Sequence, residues 1–299
     1  MSKSISETDS KTIGRVCITG ANGYIGRHVA AYVCTHREVE KCILADITEP
    51  TEATGSARCM AINLLEEAGS ADLYDRLGRP DVLIHLAWKD GFNHTAESHL
   101  QNVYAHYAFL RNMIDSGVRS VAVMGSMHEV GYHEGAVTAD TPCRPLSLYG
   151  IGKNTLRQAI MLYAEGKEVS LKWLRAFYIT GDDTHNKSIF AKILQMAQEG
   201  KTSFPFTDGT SQYDFTDVRT LAEYIAEAAM QSEMSGIINV CSGEPVALKD
   251  KVEEFIREHR LSIAPEYGRF PKRKYDSPAI WGDATLIRQI IKSSRAAHE

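Results

Sequence analysis

Long apolar runs are missing from this chain. No stretch of its 299 residues approaches the roughly 18 apolar residues of a membrane span. The opening MSKSISETDSK also lacks the apolar centre of a secretory signal. A cytoplasmic protein with no membrane partner is the expectation. Paired cysteines are missing as well: Cys17, Cys34, Cys42, Cys59, Cys143 and Cys241 show no CxxC spacing. Most of them sit in apolar runs, where a reduced thiol acts as a small core side chain, so neither a disulfide nor a metal is expected. Positive charge is not in excess either, since 33 Lys and Arg against 38 Asp and Glu give a formal charge of −5. That balance offers nucleic acid no electrostatic footprint, and the short cluster RFPKRK reads as a solvated patch. Repeats are absent, and the one biased stretch is the polar tail over residues 1–12, expected to be disordered.

What is present is a globular composition, 43% hydrophobic and 24% charged, enough for a sizeable core. Apolar β-branched runs alternate with helical patterns: GRVCIT, YIGRHVAAYVC, KCILAD, RCMAINL, ADLYDRL and DVLIHLAW. Strands without polar alternation are buried on both faces, which predicts a parallel sheet covered by helices on both sides, a doubly wound α/β fold of Rossmann type. Leu100, Val103, Tyr104, Tyr107, Leu110, Met113 and Ile114 recur at helical spacing, the strand SVAVMGS follows, and a long helix is expected from about Ser147 to Glu165. Beyond LKWLRAFYI the elements shorten, which predicts a smaller C-terminal lobe over the substrate.

In VCITGANGYIGRH, Gly20, Gly23 and Gly26 lie between the first strand and first helix. There, side-chain-free backbone and the helix dipole can meet a pyrophosphate. The spacing is GxxGxxG, one residue wider than GxGxxG. Asp46 ends the second strand about 20 residues after the last motif glycine, where a carboxylate can accept both ribose hydroxyls and would repel a 2′-phosphate. Together these predict a dinucleotide site that prefers NAD to NADP. The expected division is a NAD-binding domain over 13–178 and about 213–243, with a substrate lobe over about 179–212 and 244–299.

In PLSLYGIGKN, Tyr149 and Lys153 stand one helical turn apart, so both share a face. A phenol beside an ammonium suits acid–base work on a hydroxyl, and Lys153 is expected to lower the phenol's pKa and to hold the cofactor ribose. Following TGANGYIG by four strand–helix units, this pair resembles the extended short-chain dehydrogenase/reductases, the NAD-dependent epimerase/dehydratase group acting on nucleotide sugars. The resemblance spans roughly residues 14–283. It implies that Asn22, Tyr24 and Ile25 belong to the cofactor loop with the glycines, and that Ile47 follows Asp46 at the ribose. By the same resemblance Asn63 and Leu64 in INL lie beside the adenine; Leu86, Ala87 and Trp88 in HLAW run under the nicotinamide ribose; and Asn102 and Tyr178 complete the cofactor site. Counting five back from Gly131 assigns the family's catalytic hydroxyl to Ser126, beside Tyr149 and Lys153.

The chain also departs from the family pattern. Dehydratases follow that hydroxyl with Asp-Glu, where this chain has Met127 and His128, with Glu129 one place late; dehydration is not expected. Tyr213 and Tyr178 stand where relatives carry an arginine and an asparagine for the substrate, and Arg273 resembles the family's other phosphate-gripping arginine. His94, His99, His106, His128 and His133 lack ligand spacing and read as surface or ordinary polar residues, except His128, expected against the substrate. The substrate set is therefore Ser126, His128, Tyr178, Tyr213 and Arg273. The activity expected is hydride exchange at a sugar carbinol, most often C4 of a nucleotide-linked hexose. An epimerase is favoured over a 4-keto-sugar reductase or dehydrogenase. A non-nucleotide sugar or polyol as substrate, and a silent NAD-sensing interaction protein, are the remaining alternatives. The family resemblance also implies a homodimer through the helices near 98–115 and 147–165.

Overall fold

The computed structural model describes residues 13–37, 39–51, 57–181, 186, 188–271 and 277–297; the tail over 1–12 and Arg273 lie outside the described residues. The chain begins with β1 (Ile13–Thr19), α1 (Gly26–His36), β2 (Val39–Asp46), β3 (Arg58–Ala61), α2 (Leu64–Glu67), α3 (Leu73–Arg76) and β4 (Val82–His85). Next come α4 (Ser98–Gln101), α5 (Val103–Asp115), β5 (Ser120–Ser126), a 3₁₀ turn at Met127–Glu129, β6 (Gly135–Val137), α6 (Leu148–Ala164), β7 (Ser170–Ala176) and β8 (Tyr178–Thr180). The remainder is α7 (Ile189–Gln198), β9 (Ser203–Pro205), β10 (Gln212–Asp217), α8 (Val218–Met230), β11 (Gly236–Val240), β12 (Pro245–Ala247), α9 (Leu248–Glu258), β13 (Ala264–Glu266), β14 (Ala279–Gly282) and α10 (Thr285–Ala296).

Seven strands form one sheet in the order β11-β7-β5-β4-β1-β2-β3, and every neighbouring pair is parallel. Both faces are apolar, as the unalternating runs require. Val16, Ile18, Cys42, Leu44 and Ile84 pack on one side with α1 and α8. Cys17, Ile43, Ala45, Leu83 and Val121 pack on the other with α5 and α6. Small residues in α8, among them Ala222, Ala226 and Ala229, are fully buried and let that helix lie close to the sheet. Each fully buried Leu or Ile contributes about 1.5–3 kcal/mol, so this two-sided burial fixes the register on which the site depends. The strand order reverses between β1 and β4, which opens a crevice at their carboxyl ends, the usual ligand position in such sheets.

A second sheet, β12-β10-β14-β6 with β8 paired to β10, and the pair β13-β9 form the smaller part. Its own apolar cluster joins Phe190, Ile193, Phe204, Phe206, Val252 and Phe255. Buried Asp214 on β10 ties this sheet to the turn after β11, accepting N–H bonds from Ser242 and Gly243 at 2.9 Å each, and bonds its neighbour β14 through Gly282 N at 3.1 Å. Among the described residues no helix is long and apolar enough to cross a membrane.

Candidate active site

At the crevice the glycine loop leaves no room for side chains. Gly20 has φ +75°, and a Cβ there would lie 2.6 Å from Ala87 N; a Cβ on Gly26 would lie 1.9 Å from Gly20 O. The chain therefore passes tightly from β1 into the N-terminus of α1, whose first N–H groups face the crevice mouth. Asp46 is held beside this loop: Asn22 N donates to Oδ2 at 2.9 Å and Ile47 N to Oδ1 at 2.7 Å. Asn22 Nδ2 also donates to Thr48 O at 2.8 Å. A cavity of about 140 Å³ adjoins them, lined by residues including Asn22, Arg27, Leu44 and Thr51. A fixed carboxylate beside a side-chain-free loop at a helix N-terminus fits the ribose and pyrophosphate of a dinucleotide. Tyr24 donates from its hydroxyl to Gly181 O at 2.5 Å, linking the loop to the end of β8.

The other cofactor candidates gather less evenly. Asn63 spends its Oδ1 as the N-cap of α2, accepting from Leu65 N at 3.2 Å. Leu64 and Ile25 pack into or against the core, and Ile47 is exposed. Leu86 N donates to Thr19 O at 3.0 Å, which lays Leu86–Trp88 along the end of β1. Asn102 marks the junction of α4 and α5.

The structure brings Ser126, Tyr149 and Lys153 together. Ser126 ends β5, and Ser147 starts α6 by accepting from Gly150 N at 3.1 Å; the helix then carries Tyr149 and Lys153 on its inward face. The Lys153 ammonium donates to Met124 O at 2.8 Å and lies 3.9 Å from the Trp88 ring centroid. Burial pulls its pKa down to about 7, against a smaller upward pull from Glu129. Burial pushes the Tyr149 phenol up to about 12; a bond to the Ser126 hydroxyl draws it down and the Glu129 charge raises it. The expected lowering of the phenol by Lys153 is thus corrected: the ammonium is directed at a carbonyl and an indole face, and desolvation governs the phenol.

Histidines surround this centre, which corrects the reading of His94, His99 and His106 as surface or ordinary polar residues; His133, bonded to Ala136 O on the outside, keeps it. His99 and His106 are buried. Trp88 Nε1 donates to His99 Nδ1 at 3.0 Å, and the Trp88 and His106 rings stack with centroids 4.7 Å apart. His106 Nδ1 lies 3.0 Å from His85 Nε2, and His85 Nδ1 lies 2.7 Å from the Thr19 hydroxyl. His94 stacks on Tyr149, and His128 meets His94 edge-on at 4.3 Å. The His128 N–H donates to Ser126 Oγ at 3.2 Å. Burial holds His85 well below its usual range and lowers His106 and His128 to about 3, so all three are neutral at ordinary pH.

These observations converge with one from comparison: a model of the NAD dependent epimerase/dehydratase family matches residues 16–241. The chain belongs to that family. It is an NAD-dependent enzyme of the epimerase/dehydratase group. A dTDP-6-deoxy-L-talose 4-dehydrogenase (NAD(+)) of Aggregatibacter actinomycetemcomitans is 46% identical over 270 residues, covering 89% of this chain and 98% of that protein. The structure of MoeE5 in complex with UDP-glucuronic acid and NAD superposes with a TM-score of 0.76 at 24% identity, covering 93% of each chain. A UDP-glucose 4-epimerase structure gives 0.77 at 18% identity, covering 92% of this chain and 90% of that one. These two likenesses carry the fold.

Within this epimerase/dehydratase chain Tyr178 and Tyr213 lie against each other with ring centroids 4.4 Å apart and planes tilted by 31°. Sequence reasoning missed His85, His94, His99 and His106 as neighbours of the site, and Glu129 as its support. A histidine inside the apolar run DVLIHLAW was the available signal for His85, since a polar side chain there must find a partner.

Proposed function

We propose that this enzyme is an NAD⁺-dependent dehydrogenase acting at C4 of a dTDP-linked 6-deoxyhexose, with Ser126, Tyr149 and Lys153 as its reacting triad. The observation that supports it most is the 46% identity to a 4-dehydrogenase over 98% of that protein's length. Bound NAD⁺ supplies the hydride acceptor. Tyr149, whose phenol at about 12 is protonated at neutral pH, relays the C4 hydroxyl proton by releasing its own as it accepts the substrate's. Lys153, with a pKa near 7, offers a neutral amine as the final proton acceptor, and Ser126 holds the reacting oxygen by a hydrogen bond. Gly20, Asn22, Gly23, Gly26 and Asp46 hold the dinucleotide. Asp46 suits a dehydrogenase as well as it suits an epimerase, so the epimerase reading loses its one advantage beside the 4-dehydrogenase relative.

Dehydration is disfavoured by the same geometry. Met127 and His128 occupy the positions after the hydroxyl, and Glu129, the nearest carboxylate in sequence, is fully buried and turned away into Trp173. His128 and the Tyr178–Tyr213 pair line the sugar side, where two tilted phenol rings in contact take the place of a diphosphate-binding arginine. A dimer through α4, α5 and α6 accords with Leu100, Tyr104 and Leu162 being 47%, 72% and 69% exposed there. The test is stoichiometry. With dTDP-6-deoxy-L-talose and NAD⁺, a dehydrogenase forms one NADH per 4-keto sugar, whereas inversion at C4 without net NADH identifies an epimerase.

A further inference from the structure

Glu129 is the carboxylate that the sequence pattern places one position late, and nothing in the reaction above touches it. It is completely buried, an arrangement that needs partners on every side. The 3₁₀ turn after β5 supplies the first: Ser126 N donates to Glu129 Oε1 at 2.6 Å, while His128 N donates back to Ser126 Oγ, closing a capping box. Trp173 on β7 supplies the second, its Nε1 lying 2.9 and 3.0 Å from the two carboxylate oxygens. Arg157 Nε from α6 and Arg175 Nη2 from β7 each stand 3.6 Å from Oε2. Each of these polar partners is a donor or a cation, so the carboxylate serves them as an acceptor.

We propose that Glu129 is a positioning residue for the hydride-transfer reaction: gripping the Ser126 backbone from behind, it aims the Ser126 hydroxyl at Tyr149 and the reacting oxygen. The geometry supports this in two ways. Ser126 is the last residue of β5, where the ladder to β7 stops at Ser126↔Ala176, so its orientation past that point depends on the turn. The turn is only three residues long, and its reciprocal bonds all pass through Glu129 or the Ser126 hydroxyl. The indole of Trp173 in turn fixes the carboxylate. A chain of contacts therefore runs from β7 through Trp173 and Glu129 to Ser126.

The proposal rests on the C4 hydride-transfer reading, and its test separates the two. The variant Trp173→Phe removes the indole N–H from the carboxylate while keeping an aromatic ring, and it is compared with Ser126→Ala and the double variant. Trp173→Phe is expected to lower kcat roughly three- to tenfold, the scale of one hydrogen bond, with NAD affinity unchanged. In the Ser126→Ala background it is expected to have no further effect, because the hydroxyl it serves is gone. An equal loss in both backgrounds, or no loss in either, overturns the proposal and leaves Glu129 a structural ion. A second measurement is independent of turnover: in NMR spectra the Ser126 amide proton, bonded to a carboxylate, is expected far downfield and shifted upfield in Glu129→Gln and Trp173→Phe. An unchanged resonance overturns the placement. A native enzyme that forms no NADH from the sugar counts against the functional reading alone, since the amide proton still reports on Glu129.

Discussion

His94 lies flat against Tyr149, with ring centroids 4.9 Å apart and planes 9° from parallel, and the Tyr149 N–H donates to the His94 carbonyl at 3.1 Å. The loop between β4 and α4 thus reaches across to hold the phenol from its open side. Replacing His94 by Ala keeps the backbone bond and deletes the stacked ring. An aromatic pair contributes about 0.5–1.5 kcal/mol beyond its buried area, so kcat for His94→Ala should fall by roughly two- to tenfold, while His94→Phe should restore most of it. Steady-state kinetics of the two variants checks this; equal losses in both would show that the ring does not position Tyr149.

The buried histidines set the acid side of the stability curve. His106 and His128 have folded pKa values near 3 against about 6.5 unfolded, so between those values the unfolded chain binds protons that the native state does not. Stability is therefore fully present above about pH 6.5 and is lost as pH falls toward 3. His85 acts in the same direction. Thermal melts across this window should show a steep decline, and His106→Gln should flatten it relative to native protein. A melting temperature that stays level from neutral pH down to about 4 would contradict the buried neutral histidines.

Lys153 predicts the opposite limb. Its folded pKa near 7 lies below the unfolded value of about 10.4, so the unfolded state binds the extra proton between them and stability rises with pH through that window. The gain ends where Tyr149 begins to titrate in the unfolded chain near pH 10, because its native value is raised to about 12 and stability then falls. Lys153→Met should remove the rise between neutral and alkaline pH in denaturant titrations. A variant that retains the native slope would place the titrating group elsewhere.

Cofactor choice tests Asp46. With both carboxylate oxygens already fixed by backbone N–H groups, a 2′-phosphate meets a like charge that cannot swing away, worth on the order of 1–4 kcal/mol at this partly exposed site. Calorimetry should show NAD⁺ binding more tightly than NADP⁺, and Asp46→Ala should narrow the gap. Equal affinities in native protein would remove this role for Asp46.

Much of the scaffold was legible because its signals are local. The two-faced strands from Val16 to Val123 read as unbroken apolar runs, the glycine loop by its spacing, and Tyr149 and Lys153 by one helical turn. Ser126 needed the family resemblance, since a serine ending a strand has no signature of its own. The rest was hidden by sequence distance. His85 finds Thr19 across 66 positions and His106 across 21, and Glu129 finds Trp173 across 44. Only the packing of β1, β4, β5, β7 and α5 brings such pairs together. The phenol's raised pKa was hidden for the same reason, because spacing shows that Lys153 is near Tyr149 but not that a carbonyl and an indole claim its charge.

In the proposed reaction hydrogen leaves C4 of the sugar for the nicotinamide while Tyr149 relays the hydroxyl proton. It is tested most directly with dTDP-6-deoxy-L-talose carrying deuterium at C4, incubated with native enzyme and with Tyr149→Phe. Native enzyme should deliver the deuterium to the nicotinamide ring and leave a 4-keto sugar, and Tyr149→Phe should bind NAD⁺ normally but transfer almost none. Deuterium retained at C4 while another position is oxidised, or undiminished transfer by Tyr149→Phe, would contradict it.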